Sequence, residues 1–569
     1  MSVIRIGTRI IDLRPAVGRG AGGGDAYGPE AFVTEWTVST GDTIILPHYD
    51  GSVAGGSTLN YDVDWGDGNS DSGVTTVDKT HTYTFSGGGT KTFQVVITGS
   101  LLALNMYRAS TTQQGYLTKM VQWGTDVEWS SLYRMFYKCI EMTYEATDFP
   151  DISNLAEQSS IYSMFYNCEK VTSLDLSNWT NTDSITNMSY CVYTHSSSSS
   201  TLATLNLTGW DTSNVTTFSN AFNRTGDPTT GCDFIMPNLD VSSSTTFANA
   251  FQNTKIKSIN IVGWTLRAAG VSLSNMFNGA IEGTVGTNFS IAATGWTNTD
   301  AITTLSRFIY ASGVTSIDLT GWDTSDVTDF YGTFYSNSNL THITGLSGFD
   351  SSSATTMASM FKNSKILNFG AGATTNLGSN FANSGSCSNF QSVFEAVGDT
   401  TPGTAAPNVA NWNVSAATTM ASMFKDCEWT GGSSIDTSAW EIPATCTSLS
   451  LFAKGCSTAI IDFSDANCDL SGVTTMNQFA YLATNLTRFI LNATLAKPGF
   501  TSVTLLNNAF NGETLVTGDY DELLLKLDAG GQSSVTLHGG GSKYSAGAAA
   551  TARANLVTKS WTITDGGPA

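Results

Sequence analysis

Residues 205–222 read LNLTGWDTSNVTTFSNAF, and residues 317–334 read IDLTGWDTSDVTDFYGTF. The two stretches share one layout. Two apolar residues flank a polar one, an aromatic follows, then a cluster of Asp, Thr and Ser, then spaced apolar residues closing on Phe. A layout that returns at a period of a few tens of residues marks stacked supersecondary units, so it decides the fold class. The closing anchor recurs fourteen times, at Phe136, Phe165, Val192, Phe222, Phe251, Phe277, Phe308, Phe334, Phe361, Phe394, Phe424, Phe452, Phe479 and Phe510. The mean step is about 29 residues, with single steps from 26 to 33. From Trp210, Trp322, Trp412 and Trp440 to the next anchor is twelve residues each time, so this half of the unit reads as rigid and insertions fall before the next strand.

The first half of each unit reads as a strand. In Leu174-Asp175-Leu176, Leu205-Asn206-Leu207, Ile259-Asn260-Ile261, Ile317-Asp318-Leu319 and Ile461-Asp462-Phe463, apolar side chains alternate with a polar one. A period of two sends the apolar pair to the core and the polar residue to the open face. The second half reads as a short helix. In residues 213–222 the apolar positions fall at the spacing of one helical face, after Asp211, Thr212 and Ser213 as capping groups. One such helix is too short to stand alone in water. Each buried Leu, Ile or Phe contributes about 2 kcal/mol, against roughly 1–2 kcal/mol of backbone entropy per ordered residue. Only stacking makes the balance favourable, so the reading is a solenoid with parallel strands on one face and short helices on the other.

At 569 residues the chain exceeds a single compact core, a limit that repeats escape because each contacts only its neighbours. With 47 Asp and Glu against 26 Lys and Arg the formal charge is −21, which disfavours nucleic acid as a partner. No stretch has the length and apolarity of a membrane span, and MSVIRIGTRIIDLRPAVGRG (1–20) lacks the apolar core of a secretion signal. The nine cysteines cannot all pair within the chain. Cys139, Cys168 and Cys427 each follow their anchor by three residues and read as small buried apolar side chains.

Residues 1–30 form a separate Gly-rich arm. In its first twenty residues Arg5, Arg9, Arg14 and Arg19 stand against Asp12 alone, net +3, and Ile4, Ile6 and Ile10 make the arm partly apolar. Such an arm on an acidic protein suits docking to a partner by strand addition, with Ile4, Arg5, Ile6, Arg9, Ile10 and Arg14 as the contact residues. Residues 31–104 read as a β-domain with strands at Phe32–Val38, Thr43–Leu46, Tyr61–Trp65, His81–Phe85 and Phe93–Thr98. The solenoid spans 105–519. Residues 520–569, with a helix at Ala548–Leu556 and a strand at Ser560–Thr564, suit a cap on its open end.

Two resemblances follow. Tyr61-Asp62-Val63-Asp64-Trp65-Gly66-Asp67-Gly68 followed by His81-Thr82-Tyr83 resembles the PKD type of immunoglobulin-like β-sandwich. That resemblance implies a spacer or adhesion module. The words LDLSNW (174–179), GWDTSNVTTF (209–218), GWDTSDVTDF (321–330) and MFYNC (164–168) resemble the BspA-like leucine-rich-repeat surface proteins of bacteria and their phages. It implies binding to host or matrix surfaces without a shared chemistry. The fold class expected is therefore mainly β with short helices: an immunoglobulin-like sandwich, then a leucine-rich-repeat-like α/β solenoid of about 14 repeats.

Candidate sites are few. Asp62, Asp64, Asp67 and Asp71 could supply oxygens to Ca²⁺, or bond the backbone of a tight turn; the turn is favoured, with no cofactor expected. Leu537-His538-Gly539-Gly540-Gly541 is similar to an esterase oxyanion loop, but no G-x-S-x-G elbow accompanies it. Asp175, Asn206, Asn260, Asp318 and Asp462 form a row on the open strand face, a recognition surface or a solvated ladder. Tyr190 and Tyr331 are weaker candidates, since aromatics on a helix face usually belong to the core. Together these features lead to the expectation of a non-catalytic phage virion protein, a tail or head fibre present in several copies. It would dock to other virion proteins by its arm and bind a host-surface receptor or glycan, without nucleic acid or membrane insertion. A bacterial cell-surface adhesin is the second reading. A fibre-borne glycan depolymerase, which needs a carboxylate pair in a groove, is the third.

Overall fold

The computed structural model describes residues 4–6, 9–11 and 27–569, apart from 49–58, 156–160, 282–288, 366–383, 399–406, 429–434, 493–498 and a few single or paired positions. Arg14 and most of the Gly-rich arm lie outside the described residues. In the arm, β1 (Ile4–Ile6) pairs antiparallel with β2 (Arg9–Ile11) as a hairpin.

The next segment forms β3 (Phe32–Ser39), β4 (Thr43–Leu46), β5 (Asn60–Asp64), β6 (Ser70–Val74), β7 (Lys79–Thr82) and β8 (Thr90–Ser100). Of these, the sequence reading lacked only β6, where polar and Gly residues hide the alternation. β4 pairs with β7, and the rest join a six-stranded sheet with β9 (Leu117–Gln122) and β10 (Thr143–Tyr144), in the order β10-β9-β3-β8-β5-β6. β9 runs antiparallel to β3 and parallel to β10. One sheet therefore passes from the N-terminal strands into the first coil of the repeats.

The repeats form a β-solenoid of about fifteen turns. Each expected strand is present, its polar residue outward and its apolar neighbours buried, as at Leu174 and Leu176 or Ile317 and Leu319. Neighbouring strands pair parallel and in register, Leu174 with Leu205 and Leu205 with Phe234. A second parallel ladder of single bridges runs along the stack through Asn187, Thr217, Thr246, Ser272, Thr304, Asp329, Thr356, Asn389, Thr419, Ser448, Thr475 and Leu505.

The expected short helices of the repeats are absent from the described coils, and the α/β assignment is corrected to a β-solenoid. At residues 218–224 the backbone alternates between two bonding partners. The N–H groups of Phe218, Asn220, Phe222 and Arg224 donate to Thr246, Ala248, Ala250 and Gln252 of the next coil at 2.8–3.1 Å. Those of Ala221 and Asn223 close local turns on Phe218 and Asn220. Asn220 and Arg224 carry φ of 56° and 59°, and such left-handed residues interrupt a right-handed helix. Paired left-handed residues four apart return in most coils, as at Ser163 and Asn167, Asn249 and Asn253, and Ser359 and Asn363. Backbone bonds thus run along the stack, and every coil closes by an arc that only its neighbour can satisfy.

The constant length of the unit is corrected as well. Five residues separate the bridge residue from the apolar residue centred between the left-handed pair: Thr217 to Phe222, Thr419 to Phe424, Ser448 to Ala453 and Thr475 to Ala480. Ile309, Ala453 and Ala480 hold that centre, one residue after Phe308, Phe452 and Phe479. The Phe stack records these slips. Coils in the same phase stack their rings nearly parallel, at 4° for Phe394–Phe424 and 7° for Phe452–Phe479. Where the phase changes the rings turn edge-on, at 75° for Phe277–Phe308 and 77° for Phe424–Phe452.

All fourteen anchors are buried. A tryptophan row lies beside them, and its indole N–H groups donate to the preceding coil, Trp210 to Leu176 O at 2.7 Å and Trp322 to Ala293 O at 2.9 Å. All nine cysteines are buried and unpaired, including Cys139, Cys168 and Cys427, for which burial was expected. Cys168 and Cys427 donate to Phe136 O and Phe394 O of the previous coil, as Thr225 and Thr254 do from the matching position.

A short helix, α1 (Thr111–Tyr116), precedes β9; at the C-terminal end α2 (Thr517–Gly530), a strand at Thr536–His538, α3 (Ala548–Thr558) and a strand at Thr562–Thr564 extend the stack. The two strands pair parallel, and Leu506 bridges Leu537. Asp565 joins the helices by accepting from Arg553 and from the Tyr520 hydroxyl, at 2.7 and 2.9 Å.

Candidate binding face

The strand exits are made of carboxylates and amides that each commit one side-chain oxygen to their own turn. Asp175, Asp318, Asp436 and Asp462 each accept from the N–H two residues ahead, and Asp211, Asp240, Asp323, Asp350 and Asp469 do so at the next corner, all at 2.8–3.2 Å. Asn206 and Asn260 cap the same turn, and Asn206 also donates to Asp175 at 3.0 Å. Asp175, Asn206 and Asn260 share one register across their sheet, and each of the five open-face residues shapes its own turn. Hydrogen bonds from Ser213 hold Asp211 below the usual carboxylate range.

The acidic turn near the N-terminus is spent in the same way. Asp62 accepts from Gly73 N–H, Asp64 from Gly66 N–H and Asp67 from Asn69 N–H. Asp67 also meets His81 Nε2 at 2.8 Å, while Asp71 accepts from the Trp65 indole and pairs with Lys79. Burial pushes Asp67 up, but the bonds from His81 and Asn69 outweigh it and hold it low. Among the described residues no group of three or more His, Cys, Asp or Glu could hold a metal ion. In the Gly-rich run at 537–541, Gly540 N–H donates to His538 Nδ1 and Gly541 N–H to Glu513 O, so the loop is tied into the last coils.

The arcs carry a different chemistry. Tyr137, Tyr166 and Tyr193 each follow their anchor by one residue, and the first two lie 4.6 Å apart between ring centres, the second pair 4.8 Å. Tyr133 and Tyr162 form a parallel row at 5.3 Å, and Tyr190 closes the surface 5.5 Å from Tyr193. The Arg134 guanidinium lies 4.1 Å from the ring centre of exposed Tyr107, 4.9 Å from Tyr133 and 5.5 Å from Tyr162. At the far end the Tyr166 hydroxyl meets His195 Nε2 at 3.3 Å. Arg224 donates to the Tyr193 hydroxyl and to His195 O.

Next to this platform opens a polar cleft of about 410 Å³, lined by His195, Ser196, Arg224, Asn253, Lys255 and Ile281 among others. Burial lowers the Lys255 ammonium from its ordinary value. A smaller aromatic group follows, with Arg307 over Tyr310 and Tyr331 and Tyr335 beside Tyr310. Beyond it Glu395 bridges Lys362 and Lys425, both at 2.7 Å. Asp thus predominates at the strand corners, and Arg, Lys and Tyr predominate on the first arcs.

The sequence reading named Tyr190 and Tyr331 only as helix-face aromatics and missed the rest. The signal was present in MFYKC (135–139), MFYNC (164–168) and CVY (191–193), where Tyr follows the anchor in three successive repeats.

No curated protein and no solved structure matches the chain. One family model matches it three times, over residues 159–289, 271–388 and 388–493, which together exceed half of its length. These matched residues are the coils whose ladders and arcs are described above, and the chain belongs to the family described as "Mycoplasma protein of unknown function, DUF285".

Proposed function

We propose that this protein is a non-catalytic adhesion component of a phage virion, a tail or head fibre whose solenoid binds a host-surface receptor or glycan. One observation carries the reading: the coils present a continuous outward face of tyrosine, arginine and lysine over the first arcs, while their carboxylates are committed to turns. Side chains held in place with their rings outward serve recognition. The arm at residues 1–30 would dock to other virion proteins, its hairpin offering a strand edge. The PKD-like segment would act as a spacer, and several copies would sit in one assembly. Neither nucleic acid nor membrane insertion has a part in this reading.

A second reading is a bacterial cell-surface adhesin, favoured by the family description, which names a mycoplasma protein. Immunogold labelling with antibody to the solenoid separates the two. Label on purified particles, lost when residues 1–30 are deleted, is the expected result. Label on the outer surface of the producing cells alone would move the protein to the second reading. Release of reducing sugar from host polysaccharide would replace both with the depolymerase.

A further inference from the structure

We propose that the arc face of the first coils, from the tyrosine platform to the His195–Lys255 cleft, binds an acidic polysaccharide chain. This rests on the adhesion reading and names the ligand class.

Three independent features point there. The first is the charge balance. Among the described residues Arg134, Lys138, Arg224 and Lys255 have no carboxylate partner, although acids outnumber bases 47 to 26. Ion pairs form elsewhere, as in Lys257–Asp233, Lys425–Glu395, Arg488–Asp519 and Arg553–Asp565, and the other cations without such a pair, among them Lys170, Arg267 and Lys454, stand apart from the tyrosine platform. These four cations lie within five successive coils, the same coils that carry the tyrosine platform, and an anion from outside would complement them.

The second is the platform. Tyr137, Tyr166 and Tyr193 are half-buried, packed on one another and held by the coil spacing, so their free edges form a rigid strip along the stack. Amphipathic rings held rigid give contact area at low entropic cost. Their apolar bodies suit the C–H faces of sugar rings, and their hydroxyls suit the ring substituents.

The third is backbone strain. Arg134, Lys138, Tyr190 and Arg224 hold φ between 54° and 59°. At the matching places the next coils use Asn249, Asn253, Asn275 and Gly279, while later coils again hold less suited residues, such as Arg307, Leu451 and Leu482. Side chains poorly suited to the left-handed region are held there at an energetic cost, and such strain gathers at functional sites.

Polymer rather than monomer follows from the reach of the strip over several coils. Nucleic acid, a competing polyanion whose bases could also stack on tyrosine, is tested directly by the oligothymidylate control.

The test is calorimetric titration of the full chain with polygalacturonate, hyaluronan and polysialic acid, with dextran and oligothymidylate as controls. Binding to at least one carboxylated polymer, weakened by high salt and absent for dextran, is the expected result. Arg224→Gln with Lys255→Gln, and separately Tyr166→Ala, should each lower that affinity roughly tenfold, with the thermal midpoint recorded for each variant. A second charge variant, Lys138→Gln, changes a half-buried arc residue of the first coil, away from the cleft, and guards against misfolding of the others. No binding to any carboxylated polymer, equal binding to dextran, tighter binding to oligothymidylate, or folded variants with unchanged affinity would overturn the assignment. Particles that carry the protein but ignore all three polymers would retain the adhesion reading and lose this one. Polymer binding without label on particles or cells would do the reverse.

Discussion

The residue that shapes this molecule most is the one in the left-handed conformation. Asn, Ser and Gly fill most of these places, and they are the residues that sterics admit there. Leu482 is an exception, with φ of 55° and a side chain 53% exposed. Leu482→Asn should therefore stabilise the protein by about 0.5–1 kcal/mol in urea titrations. Glu513 is the second informative residue. It follows Phe510 by three, the place where other coils put Cys or Thr, and it is only 6% exposed. Burial raises its carboxyl from 4.5 to about 7, against a smaller opposing effect of a backbone bond at Ala483. The neutral acid is thus favoured in the fold, and its contribution is complete below pH 4.5 and lost as pH rises through about 7. Glu513→Gln should raise stability at pH 8 by about 1–3 kcal/mol and leave it nearly unchanged at pH 4. Equal shifts at both pH values would contradict this account.

At the scale of the element, strand and arc differ in how openly the sequence declares them. Leu-Asp-Leu and Ile-Asp-Leu alternate with a period that only a strand shares, and every such triplet was read correctly. Val215, Phe218, Ala221 and Phe222 have the spacing of a helical face, yet they belong to an arc. Apolar spacing could not separate the two because both bury the same positions. The distinguishing mark was the paired Asn and Ser around each anchor, as in Asn249 and Asn253, which a helix disfavours and an arc needs. The tyrosine platform was hidden by the same misreading, which assigned its aromatics to a core face. The helix Thr517–Gly530 was missed because the register was expected to end only at Tyr520. Bonds between coils give this scale its own prediction. Trp322→Phe keeps the ring but removes the donor to Ala293 O, leaving a buried carbonyl unpaired, and should cost about 1–3 kcal/mol in urea unfolding.

Across the whole molecule these bonds create two edges of opposite character. Strand corners gather Asp, whose oxygens close turns, and arcs gather the Arg, Lys and Tyr that face outward. One sheet joins the N-terminal strands to the first coil, and a helical end closes the last, so the binding face is set between two fixed ends. This polarity depends on arcs rather than helices, because an arc turns alternate side chains outward beside its neighbour. Far-UV circular dichroism of the full chain tests that claim most directly. Among the described residues the α-helices span only 6, 14 and 11 residues, so the account predicts a weak helical signal under a dominant β spectrum. One helix of about ten residues in each of fourteen repeats would make roughly a quarter of the chain helical, and a 222 nm signal of that size would contradict it.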